Sequence, residues 1–312
     1  GKGYGLRLLW DATKPDTKWN DPENEIIISS GPVGGITQYS GTGKSLVVSI
    51  SPQTNSVMDS NVGGFFGPFL KFSGFDALEI QGKASNDIIV FIDGINHFVE
   101  IFEAPCEATD SHLLAEQLTE IFADNENEKR NIGVVSSGTA AEHSLIGMLN
   151  FSFYDSKRKK VRLKQAGRGG IGTVFRNKRI KALVCKIPGV KGNLNNVVDL
   201  EAIMERGRRF NREIRELDDK QCQMRQVGTA HLMEIMNDHD LLPVHNFKFG
   251  SHPDAWKIVS SVWKRNFTQN IPDGCWIGCN MSCSKGVDDF ELQTGPYKGQ
   301  KVIVDGPEYE NA

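Results

Sequence analysis

Half of this chain's six cysteines, Cys275, Cys279 and Cys283, stand within nine residues of one another. A segment so loaded has few stable fates: it buries its thiols as inert packing groups or gives them to a soft metal centre. The segment reads Gly274-Cys275-Trp276-Ile277-Gly278-Cys279-Asn280-Met281-Ser282-Cys283, turned by Gly278 and kept out of helix by Pro272 and Gly274. A zinc knuckle competes, but no histidine follows Cys275 to complete a tetrahedral site. Three buried structural cysteines are the plainer alternative. An iron–sulfur cluster is the leading reading. A cubane cluster needs four ligands, and Cys106, Cys185 and Cys222 lie far upstream in strand-like or helix-like contexts. The fourth ligand is therefore expected from a remote segment, one that this chain need not include.

The remaining composition narrows the class. At 312 residues there is room for two domains with proper cores. A formal charge of −3 argues against a nucleic-acid binder. No apolar run approaches the ~20 residues of a membrane span, and no secretory signal opens the chain. Six cysteines, three of them crowded, make no disulfide framework in a chain this size, so a reducing cytoplasm is the expected setting. The opening Gly1-Lys2-Gly3-Tyr4-Gly5 lacks a starting methionine, and Glu308-Tyr309-Glu310-Asn311-Ala312 reads as the start of an element. An incomplete polypeptide is expected.

Strand signals dominate the first ~190 residues. Residues 25–30, 45–50, 77–81, 88–93, 98–102 and 132–135 are β-branched or aromatic runs bounded by turn residues, and 181–187 closes the region as a strand. Residues 88–93 and 98–102 suit a hairpin across Gly94-Ile95-Asn96. One helix interrupts, capped by Asp110, with Leu114, Leu118, Ile121 and Phe122 assigned to one face. A short helical stretch is expected over 141–150. Beyond Gly192 the pattern turns helical. One helix follows Asp199, a second runs from Gly228 through Met236, and a third covers 254–265. The expected fold class is α+β: a β-rich domain of two sheets over 1–190, then the start of an α-helical domain over 191–312 that carries the cysteine segment.

Three glycine-rich stretches are candidate anion cradles, since glycine lets backbone N–H groups approach a ligand closely. They are Ser40-Gly41-Thr42-Gly43-Lys44, Asp59-Ser60-Asn61-Val62-Gly63-Gly64-Phe65-Phe66-Gly67 and Gly167-Arg168-Gly169-Gly170-Ile171-Gly172. The last adds an arginine suited to bidentate phosphate contact. It follows no strand of a βαβ unit, so a dinucleotide fingerprint is not the reading.

Together with the cysteine segment, these stretches resemble the tungsten-dependent aldehyde ferredoxin oxidoreductase family. Matching segments are the glycine-rich opening, Pro22–Gly35, Asp59–Ile80 with its Lys71-Phe72-Ser73-Gly74-Phe75-Asp76 core, Gly167–Val184, Val227–Ala230, the cysteine trio and Gly306–Glu310. They occur in the family's order and span nearly the whole chain. The resemblance implies tungsten, or less often molybdenum, held by two pyranopterins beside a 4Fe–4S cluster. It further implies an N-terminal domain whose two β-sheets form the base for that cofactor. By the same resemblance Asn61, Gly63, Arg168, Gly169 and Ile171 match pterin-contacting positions, with Gly64 in the same cradle. Lys44 stands where the family commonly has arginine. Cys275, Cys279 and Cys283 match the first three cluster ligands, although the first gap holds three residues where the family usually has two. Glu308 or Glu310 lies where the family carries a carboxylate near the metal.

The function so implied is oxidation of an aldehyde to a carboxylic acid, with electrons leaving through the cluster to ferredoxin or an iron–sulfur partner subunit. A homodimer or a larger complex is among the expected assemblies. The same scaffold also supports a benzoyl-coenzyme A reductase-type complex acting on an acyl-coenzyme A. A reading of another class is an iron–sulfur electron-transfer subunit without catalytic metal. The basic run Lys157–Lys164 reads as a solvated loop, with a docking patch for an acidic electron carrier or a phosphorylated substrate as its alternative. His143 is the histidine nearest a turn of interest, and it reads as structural.

Overall fold

The structure, a computed structural model, describes residues 1–104, 109–190, 194–221, 223–266 and 271–305. The chain divides into two compact units. The first comprises Gly1–Thr37, Thr42–Leu200 and Trp276–Gly278. The second comprises Gln38–Gly41, Glu201–Cys275 and the described part of Cys279–Ala312.

The first unit is built on two sheets. Its elements in order are α1 (Lys2–Ala12), β1 (Ile26–Ser29), β2 (Ser45–Ile50), β3 (Val57–Val62), α2 (Phe66–Phe72), β4 (Ala77–Ile80), β5 (Ile88–Asp93) and β6 (Phe98–Glu103). Then follow α3 (Ser111–Phe122), β7 (Ile132–Ser136), β8 (Leu149–Asp155), β9 (Lys160–Ala166), α4 (Ile171–Asn177) and β10 (Ile180–Lys186). One sheet has strand order β3-β2-β1-β4, all antiparallel. The other runs β6-β5-β10-β7-β8-β9, antiparallel except where β10 lies parallel to β5. β1 is fully buried, which is why it reads as an unbroken apolar run rather than an alternation. On one side of it α1 presses Leu9 into a core with Ile27, Leu46, Val48 and Ile50.

Helix α3 shows how local chemistry sets an element. The Asp110 carboxylate accepts from His112 N at 2.8 Å and Leu113 N at 3.1 Å, satisfying two orphan donors of the first turn. Leu114 and Leu118 then go to the core, and Phe122 stacks on Phe91 with ring centroids 4.5 Å apart. Ile121 is exposed, against expectation, because the buried stripe steps by four residues and leaves its neighbour turned away.

Two other expectations give way to tertiary pairing. The stretch 141–150 is not a helix: a short 3₁₀ turn at Thr139–His143 gives way to β8 at Leu149. The basic run is only partly a loop. From Lys160 it is β9, paired residue for residue with β8, with Arg162 and Leu163 buried. Arg158 and Arg162 approach Asp155 at 2.5 and 3.9 Å, so two of its cations are engaged within the hairpin.

The second unit contains α5 (Leu200–Glu216), α6 (Met224–Val227), α7 (Leu232–Asp238), α8 (Ser260–Asn266) and an antiparallel pair, β11 (Gly286–Glu291) with β12 (Lys301–Asp305). Its cores gather Val227, Ala230, Trp263 and Val287, and separately Met233, Leu242 and Ala255. The expected third helix over 254–265 is broken. A 3₁₀ turn at Ala255–Lys257 precedes α8, whose start is fixed by the Glu234 carboxylate accepting from Ser260 N at 3.0 Å and Oγ at 2.6 Å. The α+β class holds, with a hairpin added to the helical part. Among the described residues no helix is long and apolar enough to cross a membrane.

Candidate functional site

Two of the three glycine stretches meet at one end of the β2–β3 pair. Ser45 is opposite Val62 and Leu46 opposite Asn61, which brings Lys44, just before β2, level with Gly63, just after β3. The third stretch arrives from α4's side, where the Arg168 backbone N donates to Ser60 Oγ at 3.3 Å. Gly169 lies against Met58, and a Cβ there would fall 2.2 Å from Met58 Cγ. Lys44, Asn61 and Gly63 thus lie at one end of the edge strand β3, and the third stretch runs along the same strand toward its other end, with Arg168 N at Ser60, Gly169 at Met58 and Gly170 against Pro52.

The backbone of this cluster requires glycine. Gly169 and Gly170 take consecutive left-handed conformations, φ 72° and 65°, and a Cβ on Gly170 would collide with Leu145 O at 2.2 Å. Gly64, at φ 82°, crosses to the second sheet, where a Cβ would lie 2.8 Å from Phe151 O, and Phe65 N donates to Ser152 O at 3.2 Å. Ile171 is fully buried and seats α4. Arg176 of α4 then clamps the helix, donating to Glu142 at 3.0 Å and to Asp87 at 2.9 Å.

Charge at the cluster is positive and open. Asn61, Lys44 and Arg168 are exposed, and neither cation forms an ion pair among the described residues. Other cations of this unit are already spent, Lys2 on Asp59 at 2.7 Å and Arg176 as above. Two uncommitted cations beside tightly turned backbone fit an anionic, phosphate-bearing ligand.

The Ser40–Lys44 stretch contributes less than its sequence promises. Ser40 Oγ donates to Asn211 Oδ1 at 2.5 Å and accepts from Asn280 N at 3.0 Å, within the second unit. Thr42 Oγ1 donates to Ile36 O at 2.7 Å within the first. Both hydroxyls serve internal structure, and Gly43 and Lys44 are what remain for a ligand.

The three crowded cysteines form no disulfide among the described residues. Cys275 and Cys279 are half-buried and Cys283 is exposed, with Ser282 before it at φ 47°. They fit an iron–sulfur centre in donor chemistry but not in pre-assembly: no group of three His, Cys, Asp or Glu side chains among the described residues stands ready to hold a metal. Metal ligation itself commonly organises such loops, since it is coupled to folding. Lys285, two residues beyond Cys283, is buried with its ammonium donating to Arg225 O, and burial pushes its pKa down. Cys185 is the opposite case. It is fully buried against Ser73 Oγ at 3.3 Å, and desolvation pushes its thiol up to about 12, so it stays protonated and inert. His143 is exposed at the end of its turn. Glu308 and Glu310, like Cys106 and Cys222, lie outside the described residues.

One contributor was not foreseen. Trp276, between the first two cysteines, is 4 % exposed and packs in the first unit against Gly43, Phe65 and Phe72. Its sequence signal was only a glycine, Gly43, in the turn beside Lys44.

Comparison with known proteins agrees along the whole chain. The profile of the aldehyde ferredoxin oxidoreductase N-terminal domain matches residues 1–187, and that of domains 2 and 3 of the same enzyme matches residues 205–312. The tungsten-containing aldehyde ferredoxin oxidoreductase of Pyrococcus horikoshii is 29 % identical over 99 % of the chain and 46 % of its own length. An aliphatic sulfonate oxidoreductase, WOR-like subunit, of Pyrococcus furiosus is 29 % identical over 99 % of the chain and 47 % of its own length. The chain thus spans about half the length of the curated relatives it matches. Among solved structures, the active-site complex BamBC of benzoyl-coenzyme A reductase, with 1,5-dienoyl-CoA, superposes with a TM-score of 0.67. That likeness is at 23 % identity and covers 96 % of this chain and 44 % of that one.

Proposed function

The chain belongs to the aldehyde ferredoxin oxidoreductase family, and we propose that it is part of a tungsten or molybdenum bis-pyranopterin oxidoreductase. The reaction is oxidation of an aldehyde to a carboxylic acid, with electrons passed through a 4Fe–4S cluster to ferredoxin or a partner subunit. The observation that carries this reading is that Lys44, Asn61 and Gly63 meet at one end of β3 while Arg168–Ile171 line the same strand, with neither cation ion-paired among the described residues. A simple cluster carrier has no need of such a cradle.

When bound, the metal and its pterins supply the two-electron chemistry. This chain's residues bind and orient. Arg168 holds phosphate oxygens with its planar fork and Lys44 adds a point charge. The backbone of Gly63, Gly64, Gly169 and Ile171 fixes the ligand's edge, and Asn61 supplies an amide. Cys275, Cys279 and Cys283 would supply three thiolate ligands to the cluster, and Glu310 or Glu308 would take up a proton as general base. In this reading residues 1–190 carry the pterin and 191–312 carry the cluster, in a homodimer or a larger complex.

The test is metal and spectral analysis of the complete polypeptide purified without oxygen. Near-equimolar tungsten or molybdenum is expected alongside iron, and iron alone would establish the cofactor-free electron carrier instead. Cys279→Ser and Cys283→Ser should each lose the visible thiolate-to-iron absorption, because a hard hydroxyl poorly replaces a soft thiolate, whereas Cys106→Ser keeps it. Full absorption in either of the first two variants would remove the cluster assignment. Viologen-dye reduction by aldehydes supports the oxidase, and tight acyl-coenzyme A binding without it supports the ring-reducing complex.

A further inference from the structure

We infer that Trp276 is a cofactor-contacting residue, its indole N–H donating to a phosphoryl oxygen of the anionic ligand held at Gly43–Lys44 and Gly63–Gly64. This rests on the cradle reading above and adds a donor that glycine and charge patterns do not reveal.

Three observations carry it. First, the indole is held at one place. A Cβ on Gly43 would lie 2.1 Å from Trp276 Cβ and 2.4 Å from Cγ, so the ring sits directly on that glycine's backbone. Phe65 meets it edge-on, centroids 5.2 Å apart at 85°, and Phe72 lies at 6.2 Å. Two residues on, a Cβ on Gly278 would lie 2.1 Å from Thr37 O, so the segment is pinned at both ends of its passage through the first unit.

Second, the orientation is given by the third-nearest atom. Trp276 Cδ1 lies 3.2 Å from the same Gly43 position, so the pyrrole edge, to whose Cδ1 the nitrogen is bonded, is the edge turned toward Gly43. Gly43 precedes Lys44 and Phe65 follows Gly64, so the ring is wedged between two of the segments that form the cradle.

Third, the nitrogen is unpartnered. Trp276 is 4 % exposed, yet its Nε1 has no acceptor among the described residues. A buried donor without a partner costs roughly 1–3 kcal/mol, and proteins seldom keep one except where a ligand, ion or water completes it. The neighbouring acceptors in reach of an aromatic box are few, because Phe65 and Phe72 offer none.

The variant that isolates the N–H is Trp276→Phe, which keeps an aromatic ring and removes the donor. The complete polypeptide, prepared free of cofactor, is titrated with inorganic pyrophosphate by calorimetry. Wild type should bind. Trp276→Phe should bind about tenfold more weakly, equivalent to ~1.4 kcal/mol, with a melting temperature in the absence of pyrophosphate close to wild type. Arg168→Ala should lose binding more severely. As a readout that needs no variant to fold, the indole ¹⁵N–¹H resonance of Trp276 in wild type should move on pyrophosphate addition. Unchanged affinity in Trp276→Phe, with Arg168→Ala still impaired, overturns the inference and leaves the cradle standing. No binding by wild type overturns both. A shift of cluster potential in Trp276→Phe with unchanged pyrophosphate affinity would assign the N–H to a cluster sulfur, and would also overturn it.

Discussion

Glu25 sits just before β1 at 3 % exposure, with one carboxylate oxygen lacking any hydrogen bond. Burial, reinforced by a shared hydrogen bond and repulsion with Glu79, pushes its pKa up to about 7, while Gln81 and the ammonium of Lys178 act in the opposite sense. Lys178, equally buried, donates to Gly82 O at 2.7 Å and Pro22 O at 3.2 Å, which holds the group in place. Because the folded carboxyl keeps a proton that the unfolded one releases near 4.5, the folded state binds more protons between about 4.5 and 7. This group therefore makes stability fall as pH rises through that window. Glu25→Gln should flatten the dependence, raising the melting temperature at pH 8 and leaving it nearly unchanged near pH 5. A variant with the same slope as wild type between pH 5 and 8 would show that Glu25 is not the titrating group. Nothing in the sequence distinguishes this glutamate from its exposed neighbours, since its burial comes from β4 and from Lys178 across the fold. Arg168 and Asn61 are different, because the glycines beside them are visible in the chain.

At the scale of elements, the loop before α4 and the turn before β2 make a matched pair. Gly170 has φ 65° with Leu145 O 2.2 Å from a would-be Cβ, whereas Gly41 has φ 84° with nothing within 4 Å. Gly41→Ala should cost only the left-handed penalty, about 1 kcal/mol. Gly170→Ala adds a backbone collision and should cost on the order of 3 kcal/mol or more. It should also displace Arg168 and weaken pyrophosphate binding, which calorimetry and thermal unfolding would measure together. Equal destabilisation by the two would show that the loop yields freely. Strands with continuous apolar runs, such as β1, β2 and β5, were legible within a residue or so. β3 was not, because Val57–Val62 is an edge strand of mostly polar residues whose pairing with β2 fixes it. β9 was hidden for a related reason: a charged run reads as solvent-facing until its partner strand buries Arg162 and Leu163.

At the scale of the molecule, the candidate cradle residues lie in one unit and the three crowded cysteines in the other, in a chain that spans about half of its curated relatives. The order of motifs made the family legible before any fold was built, since order survives where individual strands are ambiguous. The proton-transfer group belongs to this scale, because its setting requires the complete polypeptide. Glu308 and Glu310 are two residues apart. In an extended segment their side chains share a side, and in a helix they diverge by about 200°. Glu308 follows Pro307, the residue type that suits the first turn of a helix, where a carboxylate also complements the helix dipole. We propose on that ground that Glu308 has a structural task and that Glu310 is the base. Glu310→Gln in the complete polypeptide should retain tungsten and iron while turnover falls by roughly two to four orders of magnitude, the range for a lost general base. Glu308→Gln should lower the melting temperature more than the rate. Wild-type turnover in both variants would place the base elsewhere in the enzyme, and metal loss in Glu310→Gln would make this carboxylate part of the binding site instead.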